Sequence, residues 1–148
     1  YVFGIETDLD SNARKNRSGH VMEGMVANIL DKNGIEYRQE VYSTEWSNLQ
    51  NVLGDDEKRF DFVIKTTSKT YLIEVNFYSG GGSKLNETAR SYKMLSQEAD
   101  TIDGFTFVWF TDGIGWKSAR GNLRETFEVM DTIYSIDDME NGVMHKIF

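Results

Sequence analysis

A chain of 148 residues with 39% hydrophobic and 13% aromatic content is long enough to bury a core as one domain, and those fractions exclude a disordered chain. It has no cysteine and two histidines, which excludes disulfides and a zinc site of the usual His/Cys type within one chain, and no apolar run approaches the length that spans a bilayer, so no membrane partner is expected. The net charge of −8 disfavours non-specific attraction to nucleic acid but leaves room for a local basic groove.

No signal peptide is visible, and the chain begins at Tyr1 rather than methionine, which suggests trimming or a fragment. Residues 1–16 read as an irregular polar lead-in. Ser18 caps a predicted helix from about Gly19 to Asn33, with Met22, Met25, Val26 and Ile29 as its core face and Gly34 as its stop. Ile35 to Tyr42 reads as a strand, and Glu45 to Leu53 is ambiguous, compatible with one or two turns of helix. Asp55 to Glu57 is a solvated turn, and a hairpin spans residues 59–77. A glycine loop over Ser79 to Ser83 leads into a second helix from Lys84 to about Ile102, then a buried strand from Phe105 to Phe110. After a loop at Asp112 to Gly115 come a third helix from about Lys117 to Met130, a short edge strand at Thr132 to Tyr134, and a tail with a short helix from Ile136. The order α-β-β-β-α-β-α implies an α/β fold. An antiparallel meander followed by a helical crossover gives a mixed central sheet with flanking helices on both faces, in a single domain.

The hairpin carries the strongest chemical signal. Phe60-Asp61-Phe62-Val63-Ile64 and Tyr71-Leu72-Ile73-Glu74-Val75-Asn76-Phe77 are apolar strands, each with an acid in the middle. A carboxylate in a buried strand costs free energy unless something pairs with it. Alternation puts Leu72, Glu74 and Asn76 on one face. A turn over residues 66–69 pairs 64 with 71 and 61 with 74, so Asp61 faces Glu74. Like charges placed opposite each other destabilise a sheet, so either one acid holds a proton or a cation sits between them. A hard divalent ion such as Mg²⁺ suits these oxygens. The plainer reading keeps Asp61 at a strand entrance and pairs Glu74 with Arg59 or Lys65.

Weaker signals lie elsewhere, each with a plain alternative. Glu23 flanks the apolar face of the first helix and is either aimed at the hairpin ends or an exposed acid near a helix N-terminus. Arg14, Lys15 and Arg17 form an acid-free basic run, either a phosphate clamp or a solvated loop. Gly80-Gly81-Gly82-Ser83-Lys84 lacks the spacing of a nucleotide-binding phosphate loop, yet it follows the Glu74 strand and brings Lys84 near the strand end, unless it is a plain connector. Lys117, Arg120 and Arg124 gather around Trp116, a pattern that suits nucleic acid or a tryptophan packed beneath a loop.

These residues carry a resemblance. A helix with Glu23, then Asp61, then Glu74-x-Asn76, then helix and strand, resembles the PD-(D/E)xK nuclease core. More specifically, Leu9 to Glu23, Arg59-Phe-Asp61-Phe, Ile73 to Glu87 and Trp109 to Trp116 resemble the DpnII/MboI-type restriction endonucleases that cut at GATC. The resemblance implies a Mg²⁺-dependent type II endonuclease that hydrolyses double-stranded DNA. Asp61 and Glu74 would hold the metal, with Glu23 contributing a second site or holding a water. Asn76 and Lys84 join the three acids as catalytic candidates. Arg14, Lys15 and Arg17 would grip phosphates, while Lys117, Arg120, Asn122 and Arg124 would line the DNA, some reading bases in the major groove. A palindromic site implies a homodimer, and the family implies a bacterial or archaeal cytoplasm.

Asn76 stands where the superfamily usually has lysine, and an amide cannot act as a general base. Lys84, another lysine or a second metal would take that part. The family enzymes are longer, so residues 1–148 read as one nuclease-like domain, a C-terminal fragment of a longer enzyme. Two further readings stay open: a non-catalytic DNA-binding or interaction module on the same core, and an ordinary α/β interaction domain with solvated acids.

Overall fold

The computed structural model describes residues 11–54, 56–78, 83–113 and 130–148, with side chains described throughout these except at 11–20, 83 and 84. The first helix, α1, spans Ser11–Lys32. It starts well ahead of the expected Ser18 cap. Ala13, Arg14, Lys15 and Arg17 are good helix formers, and together they carry the helix through Ser18 and Gly19, which alone read as a boundary. The C-terminus is where the sequence puts it. Gly34 sits at φ +67°, Ile35 N–H donates to the Leu30 carbonyl at 3.0 Å, and Gly34 N–H donates to the Asp31 carbonyl at 3.1 Å. That pair of bonds is a Schellman motif, whose left-handed residue is glycine for want of a Cβ.

Strand β1 (Arg38–Tyr42) leads through a 3₁₀ turn at Ser43–Glu45 into α2 (Ser47–Leu53). Strands β2 (Arg59–Lys65) and β3 (Thr70–Phe77) form the hairpin, followed by α3 (Ser83–Asp100) and β4 (Phe105–Asp112). A two-residue β5 (Ile133–Tyr134) and two short helices, α4 (Ile136–Glu140) and α5 (Val143–Ile147), complete the described chain. The glycine loop at 79–82 and the expected helix over 117–130, but for its last residue, lie outside the described residues.

The five strands lie in the order β1-β2-β3-β4-β5. The first three are antiparallel neighbours, and β4 and β5 join in parallel. This is the expected mixed sheet. Helices cover both faces, which is why β2, β3 and β4 read as nearly continuous apolar runs. On one face Leu49 of α2 and Ala89, Leu95 and Ala99 of α3 pack on Val63, Leu72, Phe107 and Trp109. On the other, Met22, Val26 and Leu30 of α1 and residues of the tail helices pack on Phe62, Ile64, Ile73, Val75, Val108 and Phe110. The fully buried stripe of α1 is thus Met22, Val26 and Leu30 at four-residue steps, while Met25 and Ile29 flank it half-buried.

Candidate active site

The hairpin has the register that alternation requires. Lys65 pairs with Thr70, Ile64 with Tyr71, Val63 with Leu72 and Phe62 with Ile73. A four-residue loop closes it, with Thr66 N–H donating to the Lys69 carbonyl at 2.8 Å and Lys69 N–H donating to Thr66 Oγ1 at 3.1 Å. One step beyond the last backbone pair, Asp61 faces Glu74. There Asp61 Oδ2 accepts from Val75 N–H at 2.8 Å, so a carboxylate takes the place of a β2 carbonyl.

Glu74 is 5% exposed. Its neighbours are Asp61, which shares a hydrogen bond with it, and Lys58, whose Nζ lies 2.9 Å from Oε1. Burial, followed by the hydrogen bond and negative charge of Asp61, pushes the Glu74 carboxyl up to about 8, and Lys58 opposes this only in part. At neutral pH Glu74 therefore keeps its proton. The plainer pairings do not form. Arg59 lies beside Glu40 at 3.6 Å, and Lys65 sits at the loop end of the hairpin.

Around the pair stands an aromatic and amide frame. Lys58 Nζ lies 5.3 Å from the Tyr92 ring centroid, within cation–π range. Tyr92, from α3, meets Trp109 edge-on at 4.9 Å and Phe107 at 5.3 Å. The Asn76 carbonyl accepts from the Trp109 indole N–H at 2.8 Å, and its amide donates to the Tyr92 hydroxyl at 3.4 Å. Burial, then the charges of Glu74 and Asp61, raise the Tyr92 hydroxyl, which stays neutral. Tyr78 is raised chiefly by burial too. The frame sits at the carboxyl ends of the parallel strands β3 and β4, the end at which open α/β sheets bind ligands. A cleft of about 880 Å³ opens at the far end of the hairpin beside Tyr37, Trp46, Lys65 and Thr70, and it contains neither acid.

The donor set fits a hard divalent cation. Glu74, uncharged at neutral pH in the fold, would ionise against such an ion and offer its oxygens beside those of Asp61.

A family model described as DpnII restriction endonuclease matches residues 1–146. The chain belongs to the DpnII restriction endonuclease family. It is 46% identical to the type II restriction enzyme DpnII of Streptococcus pneumoniae, an alignment covering 99% of this chain and 55% of that protein. It is 47% identical to the type II restriction enzyme MboI of Moraxella bovis, covering 92% and 48%, and 36% identical to the type II restriction enzyme MjaIII of Methanocaldococcus jannaschii, covering 99% and 54%. The chain spans about half the length of the curated relatives it matches.

Within this DpnII-family fold the other sequence candidates fall in different places. Glu23 does not join Asp61 and Glu74. It rides on α1, against the opposite face of the sheet, and among the described residues no three or more His, Cys, Asp or Glu side chains gather as a metal cluster. Helical spacing alone could not tell which face of the sheet α1 would cover. Arg14, Lys15 and Arg17 lie within the first turns of α1 rather than in a lead-in loop, and Lys84 lies in the first turn of α3, but their side chains are outside the described set. Lys117, Arg120, Asn122 and Arg124 lie outside the described residues. Lys58 was missed. It precedes β2, where strand alternation assigns no face, so only its nearness to Asp61 in sequence hinted at it. Among the described residues, no helix is long and apolar enough to cross a membrane.

Proposed function

We propose that this chain is the nuclease domain of a type II restriction endonuclease that hydrolyses phosphodiesters of double-stranded DNA at GATC sites with Mg²⁺. The observation that carries the reading is the Asp61–Glu74 pair: two acids from neighbouring strands, buried face to face beside a lysine at the carboxyl ends of β3 and β4. Membership of the DpnII family supports the reaction class. Asp61 and Glu74 would hold the ion. A bound Mg²⁺ lowers the pKa of its water and offsets charge building on the scissile phosphate. Asp61, tied to Val75 N–H, keeps one oxygen fixed on the backbone and offers the other. The neutral Tyr92 and the packed Trp109 exclude bulk water from one side of the pair.

In this reading Arg14, Lys15 and Arg17 on α1 contact phosphates, and Lys117, Arg120, Asn122 and Arg124 face the bases and backbone. Glu23 remains a candidate only through DNA or water, not as a third member of the pair. A two-fold site favours a homodimer. The bacterial and archaeal relatives support a prokaryotic cytoplasm as the place of action.

The test is plasmid digestion by the intact protein with Mg²⁺, on DNA with and without adenine methylation at GATC. Fragments ending at GATC are expected. Asp61→Ala and Glu74→Ala should each lose at least about 100-fold in single-turnover rate while keeping the fold, the scale of removing a group that stabilises transition-state charge. Robust Mg²⁺-dependent cutting by the double variant would refute the assigned site. One observation favours a second reading, a DNA-binding module without catalysis: Asn76 is occupied by Trp109 and Tyr92. That reading predicts Mg²⁺-dependent duplex binding with no cleavage.

A further inference from the structure

We propose that Lys58 is the positioning cation of this site: it fixes the Glu74 carboxylate against Asp61, while Asn76 is engaged with Trp109 and Tyr92. The inference rests on the nuclease reading and deepens it. Three observations carry it. Lys58 Nζ contacts Glu74 Oε1 at 2.9 Å, so the ammonium holds one carboxylate oxygen and leaves the other for Asp61 and its ion.

The lysine is itself held at both ends. Its backbone is clamped by the fully buried Ser43, whose N–H donates to the Lys58 carbonyl at 2.7 Å and whose Oγ accepts from Lys58 N–H at 2.9 Å. Ser43 Oγ in turn donates to Gln50 Oε1 of α2 at 3.0 Å, which sets the hydroxyl's lone pairs toward Lys58. At the far end, the ammonium rests 5.3 Å from the Tyr92 ring centroid. Third, the Lys58 side chain is 35% exposed against 6% for that of Glu74, so the lysine links the buried acid to the surface.

Asn76 is committed elsewhere. Its carbonyl is taken by the Trp109 indole and its amide faces the Tyr92 hydroxyl. Arginine keeps the charge, can reach the same carboxylate oxygen and can rest on the Tyr92 ring, so it serves as the conservative replacement.

The experiment compares the intact wild-type protein with Lys58→Met, which keeps the stem and removes the charge, and Lys58→Arg, which keeps the charge. The first readout is single-turnover cleavage of a GATC duplex, beside duplex affinity measured with Ca²⁺. The second needs no turnover: Tb³⁺, a hard-oxygen probe excited through Trp109 and the tyrosines, reports its number of bound waters from luminescence lifetimes in H₂O and D₂O.

Lys58→Met should cut about 100-fold more slowly, the scale of a misplaced group, with duplex affinity within about threefold of wild type. Its bound Tb³⁺ should gain water as Glu74 loosens, and Lys58→Arg should recover most of both properties. Cleavage by Lys58→Met close to the wild-type rate, or an unchanged Tb³⁺ water count, would overturn the assignment. Should Lys58→Met not fold, Ser43→Ala releases the backbone clamp instead, and it should give the same two changes in weaker form. If the wild type binds Tb³⁺ but cuts no duplex, the nuclease reading fails, while the water count still decides the part played by Lys58.

Discussion

Replacing Glu74 with glutamine isolates the energetic cost of the acid pair. The Glu74 carboxyl sits at about 8 in the fold against an ordinary 4.5. Between those two values the folded chain keeps a proton that the unfolded chain has released. Unfolding therefore releases a proton, and stability falls as pH rises through this window. The full displacement corresponds to a ceiling of about 5 kcal/mol. Ionised Glu74 would draw in Lys58 and water, so we expect roughly 2 kcal/mol of it to be expressed. A glutamine at this position preserves the shape, can still hydrogen-bond to Asp61 and cannot ionise. The assay is thermal melting of wild type and Glu74→Gln from pH 5 to 9 in chelator. The two should melt within a few degrees of each other at pH 5, where the Glu74 carboxyl of the wild type is uncharged as the amide is. By pH 9 the wild type should have lost about 4–8 °C relative to the variant, given about 2–4 °C per kcal/mol for a chain of this size. Adding Mg²⁺ at pH 8 should raise the wild type and leave the variant unmoved, since on the proposed reading only the wild type keeps both carboxyl ligands. Parallel pH profiles for the two proteins would refute the reasoning, because every other titrating group is common to both.

Two further substitutions test what surrounds the pair. Gly113 sits at φ +122°, and an added Cβ would lie 1.8 Å from the Tyr78 carbonyl oxygen; Gly113→Ala should cost about 3 kcal/mol or more from backbone strain and overlap, and a loss below about 1 kcal/mol in urea unfolding would contradict the close approach of the β3 and β4 ends. Asn76→Ala should cost about 1–3 kcal/mol in the same assay, because the fully buried Trp109 loses the acceptor for its indole N–H; a neutral result would mean that water replaces the amide.

The parts of this molecule that obey a short-range period were legible in the sequence. Register in the hairpin followed from alternation and the four residues between Lys65 and Thr70, so the facing of Asp61 and Glu74 could be deduced from residue order alone. Gly34 announced the end of α1 because only the left-handed cap there asks for glycine. The start of α1 is not legible locally, because Ser18 and Gly19 look like a boundary whereas flanking helix formers outweigh them. Leu30 lies on the fully buried stripe of α1 where periodicity favours Met25 and Ile29, since the helix touches the sheet along a narrower stripe than its apolar residues suggest. The clamp of Ser43 on Lys58 spans fifteen residues and depends on how β1 meets β2, so no local pattern encodes it.

The acid pair works against the fold that contains it. A buried carboxyl facing another carboxylate contributes less stability than an apolar side chain of similar volume would, and the pair of Leu72 and Val63 two residues along shows that this face accepts such residues. What the fold supplies around Glu74 is not neutralisation but placement. Lys58 holds one oxygen, Asp61 is anchored to the β3 backbone, and Asn76 locks Trp109 and Tyr92 as the wall beside them. Each of these contacts fixes a direction, and together they leave an excess of negative charge that the described side chains relieve only by retaining a proton. In the nuclease reading a divalent ion would relieve the same excess more completely, because Glu74 could then ionise. On that reading the instability held at Glu74 would be the source of the ion's affinity, and a variant that removes it should become sturdier without metal and inert with it.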